Sequence, residues 1–127
     1  MELNYNVFII FTVSQTKHSL LSLSIFFPGM EFSAPKFLAT PRDTKALDEG
    51  SEVTLDCAAN GNPMPEIMWL KDGETIDLNH LDSRFTKLGK GSLHIKEVRK
   101  QDAGTYQCRA QNSEDSIDAA AVLQVST

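Results

Sequence analysis

The residues with the clearest chemical potential in this sequence are two cysteines and three histidines. Cys57 and Cys108 could act as nucleophilic thiols, as metal ligands or as the two halves of one disulfide bond. A zinc site built on two cysteines needs histidines beside them, and His18, His80 and His94 do not have that spacing. The sequence also has no Ser, His and Asp group and no Gly-rich phosphate loop with usable spacing. We therefore predict no catalytic activity, no cofactor and no metal site.

An acidic cluster and one histidine could also take part in chemistry, but we do not expect either to form a site. Glu114, Asp115 and Asp118 form the one local concentration of acidic residues. A calcium ion would need several oxygen ligands converging on one point, and three neighbouring carboxylates do not predict that. His94 lies between two apolar residues of an alternating pattern, so we expect it on the outer face of a strand, in solvent.

The charge balance restricts the class of partner. The 127 residues carry a formal net charge of −5, whereas nucleic acids and anionic membranes attract clustered excess Lys and Arg. Nucleic acid is therefore not an expected partner. A sulfated glycosaminoglycan is also not expected, because Asp82, Glu97 and Asp102 dilute the one basic run. That run consists of Arg84, Lys87, Lys90, Lys96, Arg99 and Lys100.

The first 30 residues differ in character from the rest of the chain. Their two apolar runs, residues 7–13 and 20–27, are each shorter than the roughly 20 residues that span a bilayer. A signal peptide would carry Lys or Arg near its start, where this chain has Glu2, and would end in a small-x-small cleavage site. We interpret residues 1–30 as a non-domain segment, signal-like or artefactual, and residues 31–127 as one domain. We predict no transmembrane segment.

From residue 35 onward, short alternating apolar and polar runs are separated by turn residues, which predicts an all-β domain. Asp72 and Gly73 are typical of a hairpin turn, because such turns need positive φ angles. Alternate residues of each run should face the core. These are Val53, Leu55, Cys57, Ile67, Trp69, Leu93, Ile95, Tyr106, Cys108, Ala110, Ala121, Leu123 and Val125.

The spacing of four core residues favours one kind of sandwich. Cys57, Trp69 and Cys108 lie 12 and then 39 residues apart, which suits two sheets bridged by a disulfide with an indole packed against it. Tyr106 lies two residues before the second cysteine, as a tyrosine corner requires. Gly104 would let the chain turn tightly there.

Three stretches resemble I-set immunoglobulin domains: Gly-Asn-Pro-Met-Pro at 61–65, Trp-Leu-Lys-Asp-Gly at 69–73 and Tyr-Gln-Cys-Arg-Ala-Gln-Asn at 106–112. The resemblance implies a two-sheet antiparallel sandwich with one inter-sheet disulfide, and an ion pair between Asp102 and Arg84. One residue departs from the pattern. I-set domains usually have glycine about three residues after Asn112, and this chain has Asp115, which tolerates a left-handed backbone better than most residues.

Within the I-set, residues 35–38, 81–85 and 119–125 are most similar to a membrane-distal domain of netrin receptors of the DCC, neogenin and frazzled kind and of other neural adhesion receptors. This resemblance implies a recognition or adhesion module in the extracellular part of a plasma-membrane receptor, or in a secreted protein, with axon guidance as its context. Its partners would be a protein ligand or another adhesion receptor, homophilic or heterophilic. Immunoglobulin or fibronectin modules would be its neighbours in the parent chain.

Strand alternation also predicts a surface that could bind a protein partner. If the core residues point inward, their neighbours face outward on one sheet, where Met and Arg are typical of partner surfaces. Single exposed apolar residues are also normal on any protein, which is the competing explanation. The predicted surface consists of Met68, Leu70, Gln107, Arg109, Gln111, Val122 and Gln124.

Two other functions stay open at this point. I-set domains also form arrays in giant muscle proteins inside the cell, where they act as mechanical spacers and their cysteines stay reduced. A third possibility is an accessory module in the ectodomain of a receptor kinase, with the catalytic activity in another part of the protein.

Overall fold

The computed structural model describes residues 31–79 and 83–126. The interpretation of residues 1–30 lies outside the described residues, as do His80 and Asp82. The described part consists of ten strands and a short 3-10 helix at Lys100–Asp102. The strands are β1 Ser33–Ala39, β2 Thr44–Ala46, β3 Val53–Leu55, β4 Ala58–Asn62, β5 Glu66–Lys71, β6 Glu74–Thr75, β7 Phe85–Leu88, β8 Ser92–Ile95, β9 Gly104–Gln111 and β10 Ser116–Val125.

The strands form the two layers of a sandwich. One layer is a five-stranded sheet in the order β2-β10-β9-β5-β6, and the other consists of β3-β8-β7 together with the β1-β4 pair. A disulfide bond joins Cys57, between β3 and β4, to Cys108 on β9, with their Cα atoms 6.5 Å apart. The predicted all-β sandwich with one inter-sheet disulfide is therefore confirmed. Its loop, with a sequence separation of 51, contributes about 4 kcal/mol in the chain-entropy model.

One strand pair departs from the expected antiparallel arrangement. β2 runs parallel to the end of β10, with Thr44 opposite Leu123 and Ala46 opposite Val125. The first extended stretch of the chain starts in one layer, as β1 beside β4, and continues in the other as β2. The buried Pro41 lies in the connection, where its missing N–H costs no ladder hydrogen bond.

The core agrees with the alternation of the sequence. All residues predicted to face inward are buried except Val125, which is half-buried and packs against the others. The Trp69 indole is buried with its Nε1 donating to the Gly91 carbonyl oxygen at 2.7 Å. A Cβ on Gly91 would lie 2.7 Å from the Cys57 carbonyl oxygen, so only glycine fits beside the Cys57 backbone at this position.

Tyr106 forms the predicted corner. Its hydroxyl donates to the Asp102 carbonyl oxygen at 2.6 Å. The Asp102 carboxylate accepts two hydrogen bonds from Arg84, at 2.8 and 3.1 Å, and one from the Arg99 backbone N–H at 2.7 Å. Burial raises the pKa of Asp102, but these hydrogen bonds outweigh burial and the pKa lies below its ordinary value. Burial, with the nearby Asp102 charge, raises the pKa of Tyr106.

Gly104 has a different role from the tight turn that we predicted. It is the first residue of β9, with φ 155°, and a Cβ there would lie 2.7 Å from Asp72 Oδ2. Asp72 occupies that space because it forms two hydrogen bonds with Thr105. The Asp72 N–H donates to the Thr105 carbonyl oxygen at 2.8 Å, and Asp72 Oδ1 accepts from the Thr105 N–H at 2.9 Å. Asp72 and Gly73 have φ angles of 51° and 89°, as the predicted hairpin turn requires.

The turn between β9 and β10 forms without a left-handed residue at Asp115. Within 31–79 and 83–126, the non-glycine residues with positive φ are Asp72 and Glu97. The turn is held by Asn112 instead, whose Oδ1 accepts from the N–H groups of Glu114 and Asp115 at 2.9 and 3.2 Å. An Asx turn of this kind replaces the glycine conformation with side-chain hydrogen bonds.

Candidate functional site

The candidate binding surface is the solvent side of β5, β9 and β10, called the outer face below. The strand register places Met68, Arg109 and Asp118 in one row across it. The next row contains Leu70, Gln107 and Ala120. The structure therefore brings together the residues that the sequence predicted on β5, β9 and β10, because all three strands are neighbours in one sheet.

Arg109 and Asp118 form the polar centre of the outer face. The guanidinium Nε donates to Asp118 Oδ1 at 2.8 Å and Nη2 donates to Oδ2 at 3.2 Å. Gln107 Nε2 donates to the same Oδ2 at 2.9 Å. The hydrogen bond from Arg109 lowers the pKa of Asp118, and the Asp118 carboxylate raises the pKa of Arg109. Both groups stay charged at neutral pH, and this part of the surface carries no net charge.

The predicted members of the outer face differ in exposure. Of the apolar ones, Val122 is 41% exposed and Met68 is half-buried. The polar Gln111 and Gln124 are exposed. The prediction that Leu70 is exposed is wrong, because it is only 6% exposed. Leu70 lies opposite Gln107 on β9 and also opposite Thr75 on β6, so strands flank it on both sides. We therefore remove Leu70 from the candidate contact residues.

Sequence reasoning missed Asp118 and Ala120 as members of the outer face. Both share the strand parity of Val122 and Gln124 on β10, so alternation alone would have placed them there. Proximity in the sequence groups Asp118 instead with Glu114 and Asp115. Glu114 is buried, with 7% exposed, whereas Asp118 lies on the outer face beside Arg109.

Two residues of the predicted basic run have separate partners in the structure. Arg84 is turned to Asp102, and Lys87 Nζ donates to the Ile67 carbonyl oxygen at 3.0 Å. His94 lies on an outer strand face, but the prediction of a solvated imidazole is wrong. Its side chain is 15% exposed, with Nδ1 3.0 Å from Thr54 Oγ1 and Nε2 3.3 Å from Glu52 Oε1. No cluster of three or more potential metal ligands occurs among the residues that the structure describes.

Asn112 ties three chain segments together at the end of the sandwich where β1 begins, called the loop end below. Its Nδ2 donates to the carbonyl oxygens of Ser33 and Pro63 at 2.8 and 2.9 Å. Gly61 approaches the same amide, since a Cβ there would lie 3.0 Å from Asn112 Nδ2. The first residues of the domain are therefore fixed to the turn before β5 and to the turn before β10.

No helix in the described ranges is long and apolar enough to cross a membrane. The immunoglobulin domain family model matches residues 34–112. Peroxidasin homolog from Mus musculus is 41% identical over 91 residues, which cover 72% of this chain and 6% of that protein. Neogenin from Homo sapiens is 43% identical over 76 residues, which cover 60% of this chain and 5% of that protein. The match with neogenin confirms the resemblance that the motifs predicted. The chain spans only a small part of these relatives.

Among solved structures, the titin M10 and obscurin-like 1 immunoglobulin complex contains a similar chain. It is 32% identical with a TM-score of 0.66, covering 73% of this chain and 94% of that chain. The likeness extends over nearly the whole of that domain, in agreement with the fold described above.

Proposed function

The chain belongs to the immunoglobulin domain family, and from that premise we propose that residues 31–127 form a non-catalytic recognition module of an extracellular adhesion receptor. The module binds a protein ligand or another adhesion receptor, and neighbouring modules of the parent chain position it. Axon guidance is the biological context that we propose, on the basis of the similarity to neogenin.

The observation that carries the proposal is the composition of the outer face. It combines the exposed Val122 and the half-buried Met68 with the neutral pair of Arg109 and Asp118. Protein interfaces are enriched in Met and Arg and tolerate polar groups whose hydrogen bonds are already satisfied. A domain with a net charge of −5 repels other acidic proteins, and the paired charges of Arg109 and Asp118 add nothing to that repulsion.

The extracellular location rests on the bond between Cys57 and Cys108. Disulfides persist on the secretory route and are rare in the cytosol. The second candidate function is an intracellular structural spacer, which the similarity to the titin and obscurin-like 1 complex supports. In that function both thiols would be reduced in the living cell.

The two functions are separated by trapping thiols in the cells that express the protein. Cells are lysed in denaturant, so that the buried cysteines become accessible, with excess maleimide-polyethylene glycol. The protein is then examined by gel shift before and after reduction. We expect two added tags only after reduction. Two tags before reduction would show that Cys57 and Cys108 are free thiols, which excludes the extracellular function and supports the spacer.

Recognition itself is tested by presenting residues 31–127 as tetramers to an array of purified receptor ectodomains. We expect saturable binding to at least one of them, weakened by variants of the outer face. An array with no saturable binding would contradict the proposal and leave only a spacing role for the domain.

A further inference from the structure

A groove of about 310 Å³ opens beside β4 and the first half of β5, and none of the outer-face residues named above lines it. Leu38 and Met64 line it and are 65% and 57% exposed. Single exposed apolar side chains are ordinary, but these two share one concavity. The groove is also lined by Ala59, Ile67, Lys87 and Lys90.

The wall of this groove includes an open strand edge. β6 pairs with β5 only at Leu70 and Lys71, and the Ile76 N–H donates to the Trp69 carbonyl oxygen. Among the described strands, none pairs with the first half of β5 on that side. The edge of β5 is therefore open at Glu66 and Ile67, which both line the groove.

Lys87 covers this edge from the opposite layer of the sandwich. It is the third residue of β7, and its Nζ donates to the Ile67 carbonyl oxygen at 3.0 Å. The ammonium occupies a position where the N–H of an added strand would bond, and charged side chains of this kind keep sheet edges unpaired. A lysine is an exchangeable cover, because its ammonium is strongly hydrated and its stem is flexible.

The charges around the groove differ from those of the whole chain. Lys87 and Lys90 both line it, with Glu66 as an acidic neighbour, whereas the whole chain carries −5. The groove thus combines apolar side chains with a local excess of cationic ones. A second copy of this acidic chain is disfavoured as an occupant by the mutual repulsion of the two molecules.

We propose that this groove binds an extended acidic segment of a partner protein by strand addition. An apolar side chain of the segment lies against Leu38 and Met64, and its backbone N–H replaces Lys87 at the Ile67 carbonyl oxygen. The released ammonium of Lys87 and that of Lys90 bind carboxylates of the segment. The site goes beyond the proposed function, because it uses other residues than the outer face.

The probe for this site is the peptide acetyl-Glu-Leu-Glu-Leu-Glu-amide, added to the isotope-labelled full chain and followed by NMR. We expect chemical-shift changes at the amides of Ala59, Ile67 and Lys90. The matched peptide with Lys in place of Glu should give none. Lys87→Gln and Lys90→Gln should each weaken binding about two- to fivefold, the range of an exposed ion pair, and added salt should weaken it further.

Two control variants separate this site from other surfaces. Lys45→Gln removes an exposed lysine on β2 and should not change peptide binding. Arg109→Glu alters the outer face and should also leave peptide binding unchanged. A failure of the groove proposal would therefore leave the proposal for the outer face standing, and the reverse also holds. Equal shifts with both peptides, shifts confined to other residues, or no shifts at all would each overturn the proposal. Concentration-dependent shifts at the same amides without peptide would identify a second copy as the occupant and would overturn it too.

Discussion

The Arg84 guanidinium and the Asp102 carboxylate form a two-bond ion pair, with Nη1 2.8 Å from Oδ2 and Nη2 3.1 Å from Oδ1. The two side chains are only 9% and 6% exposed. Arg84 precedes β7 in one layer, and Asp102 lies just before β9 in the other. The pair therefore joins the two layers beside the corner that Tyr106 forms.

Replacing Asp102 with Asn should lower the free energy of unfolding by about 3–5 kcal/mol, because it leaves the buried Arg84 charge uncompensated. Urea unfolding near neutral pH measures this difference. Because the pKa of Asp102 is lowered in the folded protein, its ionisation stabilises the fold above its unfolded pKa of about 3.9. That contribution is lost as the pH falls through the folded pKa. The difference between wild type and Asp102→Asn should narrow below about pH 4, and a difference independent of pH would contradict this role.

Replacing Tyr106 with Phe removes the one hydroxyl that bonds the Asp102 carbonyl oxygen. The loss of a buried hydrogen bond should lower the free energy of unfolding by about 1–3 kcal/mol. Gln124→Ala, at an exposed position of β10, is the control and should have little effect. Equal effects of the two variants in urea unfolding would show that the corner contributes nothing to stability.

Gly104 and Gly50 both have positive φ angles, of 155° and 92°, but only at Gly104 would a Cβ meet another group. Gly104→Ala and Gly50→Ala should both lower the free energy of unfolding by on the order of 1 kcal/mol, because alanine is strained at a positive φ. Gly104→Ala should lower the melting temperature more, because it also displaces the Asp72 carboxylate from the Thr105 N–H. In an Asp72→Ala background the extra effect of Gly104→Ala should disappear. Its persistence there would assign the effect to the backbone alone.

The two halves of the Asn112 amide have separable roles. Asn112→Asp keeps the oxygen that holds the turn before β10 but loses the donor to Ser33 and Pro63. By hydrogen exchange, we expect this variant to lose protection in β1, while Asn112→Ala should lose it in β1 and in the turn. Each lost set of hydrogen bonds should lower the free energy of unfolding by about 1–3 kcal/mol. Unchanged exchange in β1 of Asn112→Asp would show that the loop end is fixed by other contacts.

The sequence predicted the core of this fold because alternation and the fixed positions of Cys57, Trp69, Tyr106 and Cys108 are local patterns. Burial that depends on a neighbouring strand was not predictable in this way. Leu70 has the parity of an exposed residue, and it is buried at the end of β5 that β6 flanks. The parallel pairing of β2 with β10 depends equally on where the chain changes layers.

Some side-chain contacts between distant segments were also beyond the sequence. Lys87 and Ile67 lie 20 residues apart on different layers, and no local pattern links them. Gly104 was recognised as a special position, but its reason, the approach of Asp72, depends on the hairpin turn that brings Asp72 beside β9. The outer face was predicted in most of its members because it needs only strand parity and neighbouring strands in one sheet.

The central claim, that the outer face recognises another protein, is tested most directly by binding of two matched double variants to the ectodomain array. Arg109→Glu with Val122→Glu alters the outer face. Leu88→Glu with Lys96→Glu makes the same change of charge at exposed positions of the opposite layer. With both variants folded, we predict that the first loses at least about tenfold in affinity, or about 1.4 kcal/mol, and that the second binds like wild type. Undiminished binding by the outer-face variant would contradict the claim.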